Sequence, residues 1–449
     1  MKRMPGTCTI LLAILVVVIA ISWLAPTIRY EMTDSSEGGF SVIDETTVEI
    51  HRAKGIALWR LPELFVNGVE KVFSTIVLIT ACNCAFAVLS ASDIFTQIIS
   101  RLCHSFRDHS RRLLLLILGA FSLLGLVVPP HCFVAFVPLM CTLSIRLGYD
   151  DMVGLALVLF GATTASMSGP LSAVTAMCQE CLGLPVYSGV GVRFICFGIF
   201  FLATAAYLVI YAGKIRREPE SLPTDSGHTE SESIDWRSVL GACLLVAVFA
   251  LVVYGTTALS FGTMTIAGVF LCYAILVGPV LGFNLDKTME HMAEGVRRSA
   301  STIIVISLAG AVTVALEESG IMGTIVYLSY RGFSRLPGVL LPVSMLVLIS
   351  LLNCLLPSGP AKGVMVMPLL APAAQMAGMS MQTSVLAYNL GDSITNYLLP
   401  YDATTASYLA AANVPFQRWI KFVLKLFFLW YILSVLCLTI LYYTGYGPF

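Results

Sequence analysis

Four runs of this chain, Cys8 to Trp23, Val190 to Tyr211, Val239 to Tyr254 and Phe422 to Tyr443, are apolar almost without interruption. At ~1.5 Å per residue each covers most or all of a ~30 Å hydrocarbon layer, so they read as transmembrane helices. Buried helices of a large soluble protein are the competing explanation, and it fails on polar content. Of the 449 residues 57% are hydrophobic and 12% charged, against roughly a quarter charged in a soluble domain. Too little polar sequence remains to wrap such helices. A formal net charge of zero, with no basic tract beyond Lys214 to Arg217, sets nucleic acid aside. The 13 cysteines sit mostly inside apolar blocks without metal-ligand spacing and read as small core residues. Met1 to Ala25 lacks an A-x-A-like end and reads as an uncleaved first helix rather than a signal peptide.

The chain repeats itself. Pro130 and Pro360, Pro138 and Pro368, Gly148 and Gly378, Gly161 and Gly391, Pro170 and Pro400, and Pro185 and Pro415 are all 230 positions apart. Upstream, Gly68-Val69 matches Gly295-Val296 and Ser74-Thr75-Ile76 matches Ser301-Thr302-Ile303 at an offset of 227. Helix breakers that keep register over such a distance point to a duplication. The expected organisation is a first helix and outer loop (1–60), a first repeat (61–212), a cytoplasmic linker with two connecting helices (213–283) and a second repeat (284–449).

Loop Lys and Arg residues set the orientation. Lys2 and Arg3 place the N-terminus inside, and Arg101, Arg107, Arg111, Arg112, Lys214, Arg216, Arg217, Arg237, Lys287, Arg297, Arg298, Arg418 and Lys421 then all fall inside. The first repeat starts outside and the second inside, so the expected fold is an all-α polytopic membrane protein of two inverted repeats, N-in and C-out.

Each repeat carries a midway interruption. Leu113 to Val128 runs into Pro129-Pro130-His131, and Val339 to Leu356 runs into Pro357-Ser358-Gly359-Pro360. Proline removes a donor and clashes with the preceding turn. Arms of about 16 residues reach only ~24 Å. Two re-entrant hairpins and two pairs of short spans both fit; the near absence of loop favours hairpins. The following helix is interrupted too, at Gly161 to Pro170 and Gly391 to Pro400, and both stretches are unusually polar. Unwound backbone at membrane depth must line a cavity or be packed in protein. Matched discontinuous helices are a pointer to a carrier's solute and ion sites. Thr163, Thr164, Ser166 and Ser168 are the candidates this supplies in the first repeat.

The motifs LLPSGPAKGVMVMPLLAP, NLGDSITNYLLPYDATT and AANVPFQRWIKF in the second repeat, with GLPVYSGVGVRF in the first, resemble the YfcC-like carriers. These are relatives of the DcuC-type C4-dicarboxylate carriers and the AbgT-type transporters of the ion-transporter superfamily, and the likeness covers nearly the whole chain. The resemblance implies two hairpins, inverted repeats, a homodimer, and elevator-like movement of a transport domain against a scaffold. It carries over Ser358, Gly359 and Pro360 at the second tip, and Gly391, Asp392, Ser393 and Asn396 in the broken helix, as binding-site positions. Two departures bear on the first cation site. Val128-Pro129-Pro130-His131-Cys132 stands where the family has a Gly-rich turn followed by acidic residues, and Ser172-Ala173 replaces an Asn-Pro.

A lone charge at the depth of Lys362 costs ~3 kcal/mol or more. It either pairs with Asp392 or a solute carboxylate, standing in for a coupling cation, or snorkels to water. His131 is a candidate proton site, its alternative being a hydrogen-bonded tip histidine. Glu317 and Glu318 are expected to be solvated, Arg193 and Arg418 to anchor at the interface, and Phe427 to Tyr431 to face lipid. The expectation is a non-enzymatic secondary transporter of the inner (cytoplasmic) membrane, with no cofactor, in contact with membrane lipid and binding a small organic anion or zwitterion. Ser358, Gly359, Pro360, Lys362, Ser393, Asn396, Ser166 and Ser168 are assigned to solute, and Asp392, Gly391, Thr163 and Thr164 to Na⁺ or H⁺. A channel, or a receptor or enzyme on the same fold, is the alternative. HExxH and GxSxG are absent.

Overall fold

The computed structural model describes residues 7–24, 27–29, 32–34, 41–43, 47–51, 55–92, 97, 101–103, 105–106, 109–216, 236–259, 261–320, 324, 327, 340–354, 359–376 and 378–447. Pro357, Ser358, the basic residues Lys2, Arg3 and Arg107, and linker positions 217–235 lie outside the described residues.

Among the described residues the chain is nearly all helical, and seven segments are long and apolar enough to cross a membrane. Helix α1 (Thr7–Ser22) is followed by four short strands that the all-α expectation did not include, β1 (Thr27–Arg29), β2 (Met32–Asp34), β3 (Ser41–Ile43) and β4 (Glu49–His51). β1 pairs antiparallel with β4 and β2 with β3, so the ribbons are nested. Then come α2 (Leu61–Lys71), α3 (Phe73–Ser90), α4 (Ser110–Leu124), a 3-10 segment (Pro130–Phe136), α5 (Val137–Arg146), α6 (Asp151–Ser168), α7 (Ala173–Cys181) and α8 (Val190–Ile215). Two connecting helices follow, α9 (Trp236–Ala258) and α10 (Thr263–Val280). The remainder is α11 (Leu285–Glu318), α12 (Leu341–Asn353), α13 (Gly359–Met376), α14 (Met381–Asn396), α15 (Ala403–Ala411) and α16 (Phe416–Thr444).

Element boundaries recur at the spacing of the breakers. Shifting α7 by 230 positions gives the bounds of α15, and shifting the 3-10 segment with α5 gives those of α13 to within a residue. The 34-residue α11 corresponds to α2 and α3 together, which are separated at Val72. Packing repeats as well. α4 and α5 both lie on α6, α12 and α13 both lie on α14, and α6 crosses α14. Both arms of each interrupted stretch therefore wrap the same following helix.

Polar composition misled the reading of the broken helices. Gly161 to Ser168 and Gly391 to Asn396 remain helical, and the backbone departs from helix only over 169–172 and 397–402. The hydroxyls make the difference, because Thr163 and Thr164 donate to the carbonyls of Leu159 (2.5 Å) and Phe160 four residues back, so the helix need not open to satisfy them. Gly169, left-handed at φ 59°, then ends α6 just before Pro170.

Gly391 has a packing role. A Cβ there would lie 3.0 Å from the Ile349 side chain and the Leu346 carbonyl of α12, and one at Gly161 would lie 2.4 Å from Phe121 Cβ of α4. Each glycine is the point where its helix crosses the first arm. Overpacking a tight crossing costs ~1–3 kcal/mol, so Gly161→Ala is expected to lower the melting temperature of the purified protein clearly more than Gly391→Ala; equal losses would contradict the packing account.

Candidate functional site

A cavity of about 590 Å³ opens where the two broken helices, the start of the 3-10 segment and the start of α13 meet α2, α3 and α11. Of the residues expected from sequence, Thr163, Ser166, His131, Gly359, Asp392, Ser393 and Asn396 line it together. Thr164, Ser168 and Gly391 are buried and do not. Pro360 lies on the first turn of α13. Lys362 is fully buried behind Asp392.

The site is held by the backbone groups freed at the breaks, which find side-chain partners. The carbonyl of Ser166 accepts from Ser393 Oγ (3.1 Å), that of Gly169 from Thr175 Oγ1 (2.8 Å), that of Asn396 from Thr405 Oγ1 (3.2 Å) and that of Tyr397 from Trp419 Nε1 (2.9 Å). Thr175 in turn accepts from Asn389 Nδ2 (2.7 Å), and the hydroxyls of Thr163 and Tyr397 bond each other across the crossing. Each of these carbonyls thus accepts from a side-chain donor.

Arg193 is a correction of the same kind. Instead of anchoring at an interface it is fully buried and donates Nη1 to the Ser168 carbonyl at 3.1 Å, placing a cation at the carbonyl end of α6. Arg418 pairs with Asp150 and Asp151. Glu317 binds Lys71 and Glu318 binds Arg60, tying the end of α11 to α2. Trp430, in the stretch expected to face lipid, is fully buried, 5.0 Å from the Tyr397 ring and 5.3 Å from Phe160.

Lys362 Nζ donates to Asp392 Oδ1 at 2.7 Å and to Asn353 Oδ1, and stands 5.6 Å from the centre of the Tyr388 ring. Asn353 returns two bonds through Nδ2, to the Asp392 carbonyl (2.9 Å) and to Asn396 Oδ1 (2.7 Å). One ammonium thereby joins α12, α13 and α14. Snorkelling is excluded by its burial.

Sequence reasoning passed over Asp402. Its carboxylate caps α15, accepting from the Thr405 amide at 2.7 Å, and it lines the cavity with Tyr401 and Thr405. The signal was present in the YDATT motif, where an acid stands three residues ahead of a threonine just after a helix-ending proline. The opposite helix start, α7, is capped by the neutral Ser172.

Among the described residues the fold has seven helices long and apolar enough to cross a membrane, arranged around a polar cavity at two helix breaks. The chain belongs to the C4-dicarboxylate anaerobic carrier family, DcuC, whose family model matches residues 4–443. It is 25% identical over 325 residues to the putative basic amino acid antiporter YfcC of Escherichia coli (strain K12), which covers 67% of this chain and 64% of that protein. It is 26% identical over 309 residues to an uncharacterized protein of Haemophilus influenzae, covering 65% and 60%. The matches thus span less than two thirds of either relative's length. Two solved structures align along the chain: the YdaH transporter of Alcanivorax borkumensis (16% identity, TM-score 0.45, 99% of this chain and 100% of that one) and MtrF of Neisseria gonorrhoeae (14%, 0.45, 98% and 95%).

A buried ion pair that loses one partner leaves an uncompensated charge, a cost of ~3–5 kcal/mol. Asp392→Asn is therefore expected to destabilise the purified protein by about that much, and adding Lys362→Met to recover a large part of it. A double variant no more stable than Asp392→Asn alone would show that the pair carries no such coupling.

Proposed function

We propose that the chain is a secondary active carrier of a small carboxylate-bearing solute, a C4-dicarboxylate, an amino acid or a short peptide. In this reading it is coupled to Na⁺ or H⁺ or works as an antiporter, and moves its solute by elevator-like alternating access. The observation that carries this is a second cavity, of about 520 Å³, lined by Arg298, Ser301 and Thr302 of α11 with Asn83 and Ser90 of α3. The first cavity is lined by Lys71, Ser74, Thr75 and Thr313. Lys71, Ser74 and Thr75 stand 227 positions before Arg298, Ser301 and Thr302, so the same cation and Ser-Thr pair faces each cavity. The two lie at different levels of one antiparallel scaffold, joined at one end by Asn83 Nδ2 to Ser299 Oγ (2.9 Å) and at the other by Lys71 to Glu317 (2.9 Å). Eleven residues, from Val72 to Asn83 on one strand of this scaffold and from Thr302 to Thr313 on the other, separate them, or ~16 Å of helix rise. A displacement of that order would carry the broken helices from one cavity to the other.

Inverted repeats, the N-in, C-out orientation, the four-part division of the chain, a homodimer and placement in the inner membrane belong to the same proposal. The recurrence of element bounds and of the cavity triad supports the repeat. In the mechanism Ser393, Asn396 and the start of α7 hold the solute carboxylate, beside Gly359 at the start of α13. His131, which lines the same cavity, is the candidate proton site of this reading.

The family's name points to a dicarboxylate and the Escherichia coli relative's name to a basic amino acid. Asp402 favours the second kind of chemistry, since it puts a carboxylate on the cavity wall with Thr405 as its neutral partner and no cation paired to it among the described residues. A solute with an ammonium beside its carboxylate uses both Asp402 and the neutral-capped start of α7. A melting-temperature screen of amino acids against C4-dicarboxylates is expected to find saturable stabilisation by an amino acid. Asp402→Asn, which keeps a helix cap, is expected to weaken it by ~10-fold or more, about 1.4 kcal/mol. Stabilisation by dicarboxylates alone, unaffected by Asp402→Asn, would contradict the choice of solute.

A further inference from the structure

The cluster around Lys362 exists as a set or not at all. Lys362, Asn353, Asp392 and Tyr388 each have a counterpart 230 positions earlier, and those are Cys132, Leu123, Ala162 and Val158. All four polar members are therefore missing together from the first repeat. What the second repeat builds is a set of hard oxygen donors, a carboxylate Oδ1 at 2.7 Å and a carboxamide Oδ1, closed by an aromatic face 5.6 Å away. Such donors suit a small hard cation, and they converge where the two arms of the second interrupted stretch meet the broken helix. Asp392 also lines the cavity, which gives an ion and its waters a route to this point.

We propose that the Lys362 ammonium is a tethered cation filling a monovalent-cation site, so that α12, α13 and α14 are locked together there without Na⁺. In this reading the site already holds a positive charge. Any Na⁺ coupling then has to act elsewhere in the molecule, and the charge of Asp392 is neutralised whether or not Na⁺ is present. Lys362→Ala vacates the position and leaves Asn353 and Asp392 oxygens facing the space where the ammonium stood, converting the site to one that accepts Na⁺. Lys362→Met removes the charge and keeps the stem, which fills that space.

The proposal depends on the carrier reading for its consequence only; its test reads ion binding, so the two fail separately. The purified full chain is melted in NaCl and in choline chloride at equal ionic strength. Lys362→Ala is expected to melt lower than the parent in choline and to regain about 2 °C or more, saturably, with Na⁺. Lys362→Met is expected to melt lower and regain nothing. If Lys362→Ala folds but shows no Na⁺-dependent rise, the proposal is overturned. Asn353→Ala, which keeps the Lys362–Asp392 pair, covers the case in which Lys362→Ala does not fold. Its Na⁺ response is expected to equal the parent's, and a Na⁺ affinity weakened by ~10-fold would overturn the proposal, because the ion would then be using Asn353 alongside the lysine.

Discussion

A helix that breaks at membrane depth must find partners for the backbone groups it frees, and much of this architecture follows from that requirement. Ser393, Thr175, Thr405, Trp419 and Arg193 each give a donor to a carbonyl at one of the two breaks, and each comes from a different helix. Satisfying the breaks therefore assembles the surrounding helices in register. The two short helices α7 and α15 follow directly from the breaks, and their starts face the cavity. Asn396, Ser393, His131 and the Asp402 carboxylate stand on the cavity wall, with Asp392 already engaged by Lys362.

The two halves solve the problem with different chemistry. In the first, the tip is the proline-led 3-10 segment, with Cys132, Phe133 and Val134 buried. Tyr408 of α15 secures it by donating to the Pro130 carbonyl at 2.7 Å. In the second, an ammonium, a carboxylate and a carboxamide form a closed polar knot. Apolar contact yields to sliding more readily than a buried ion pair, whose separation leaves two desolvated charges. The second interrupted stretch is accordingly bound to its following helix by charge, and the first by apolar contact.

Element order and the interruptions were legible because Pro130, Pro170, Pro360 and Pro400 stand at or beside helix ends, although Pro368 and Pro372 stay inside α13 and Gly161 and Gly391 inside α6 and α14. The spacing of 230 thus located α12 to α15 from α4 to α7. Properties that depend on what lies across the fold were hidden. Polar stretches were read as unwound because a sequence does not reveal that a threonine satisfies itself on the carbonyl four residues back. Arg193 looked like an interfacial anchor because its partner, the Ser168 carbonyl, is a main-chain group with no signature. Asp392 and Lys362 were paired correctly in one of two readings because a lone buried lysine demands a counter-ion. Asn353, which completes their knot, had no such demand on it. Asp402 was visible as a cap and unreadable as a cavity wall.

The central claim is that a single site is offered in turn to the two cavities. Counterflow tests it most directly. Proteoliposomes are loaded with an unlabelled excess of an amino acid that stabilises the purified protein, and a labelled trace of the same solute is added outside. Alternating access predicts saturable uptake in which the label rises transiently above its equilibrium level, driven by the outward flow of unlabelled solute. A label that only climbs to equilibrium, at a rate proportional to concentration without saturation, would contradict the account and make the protein a channel.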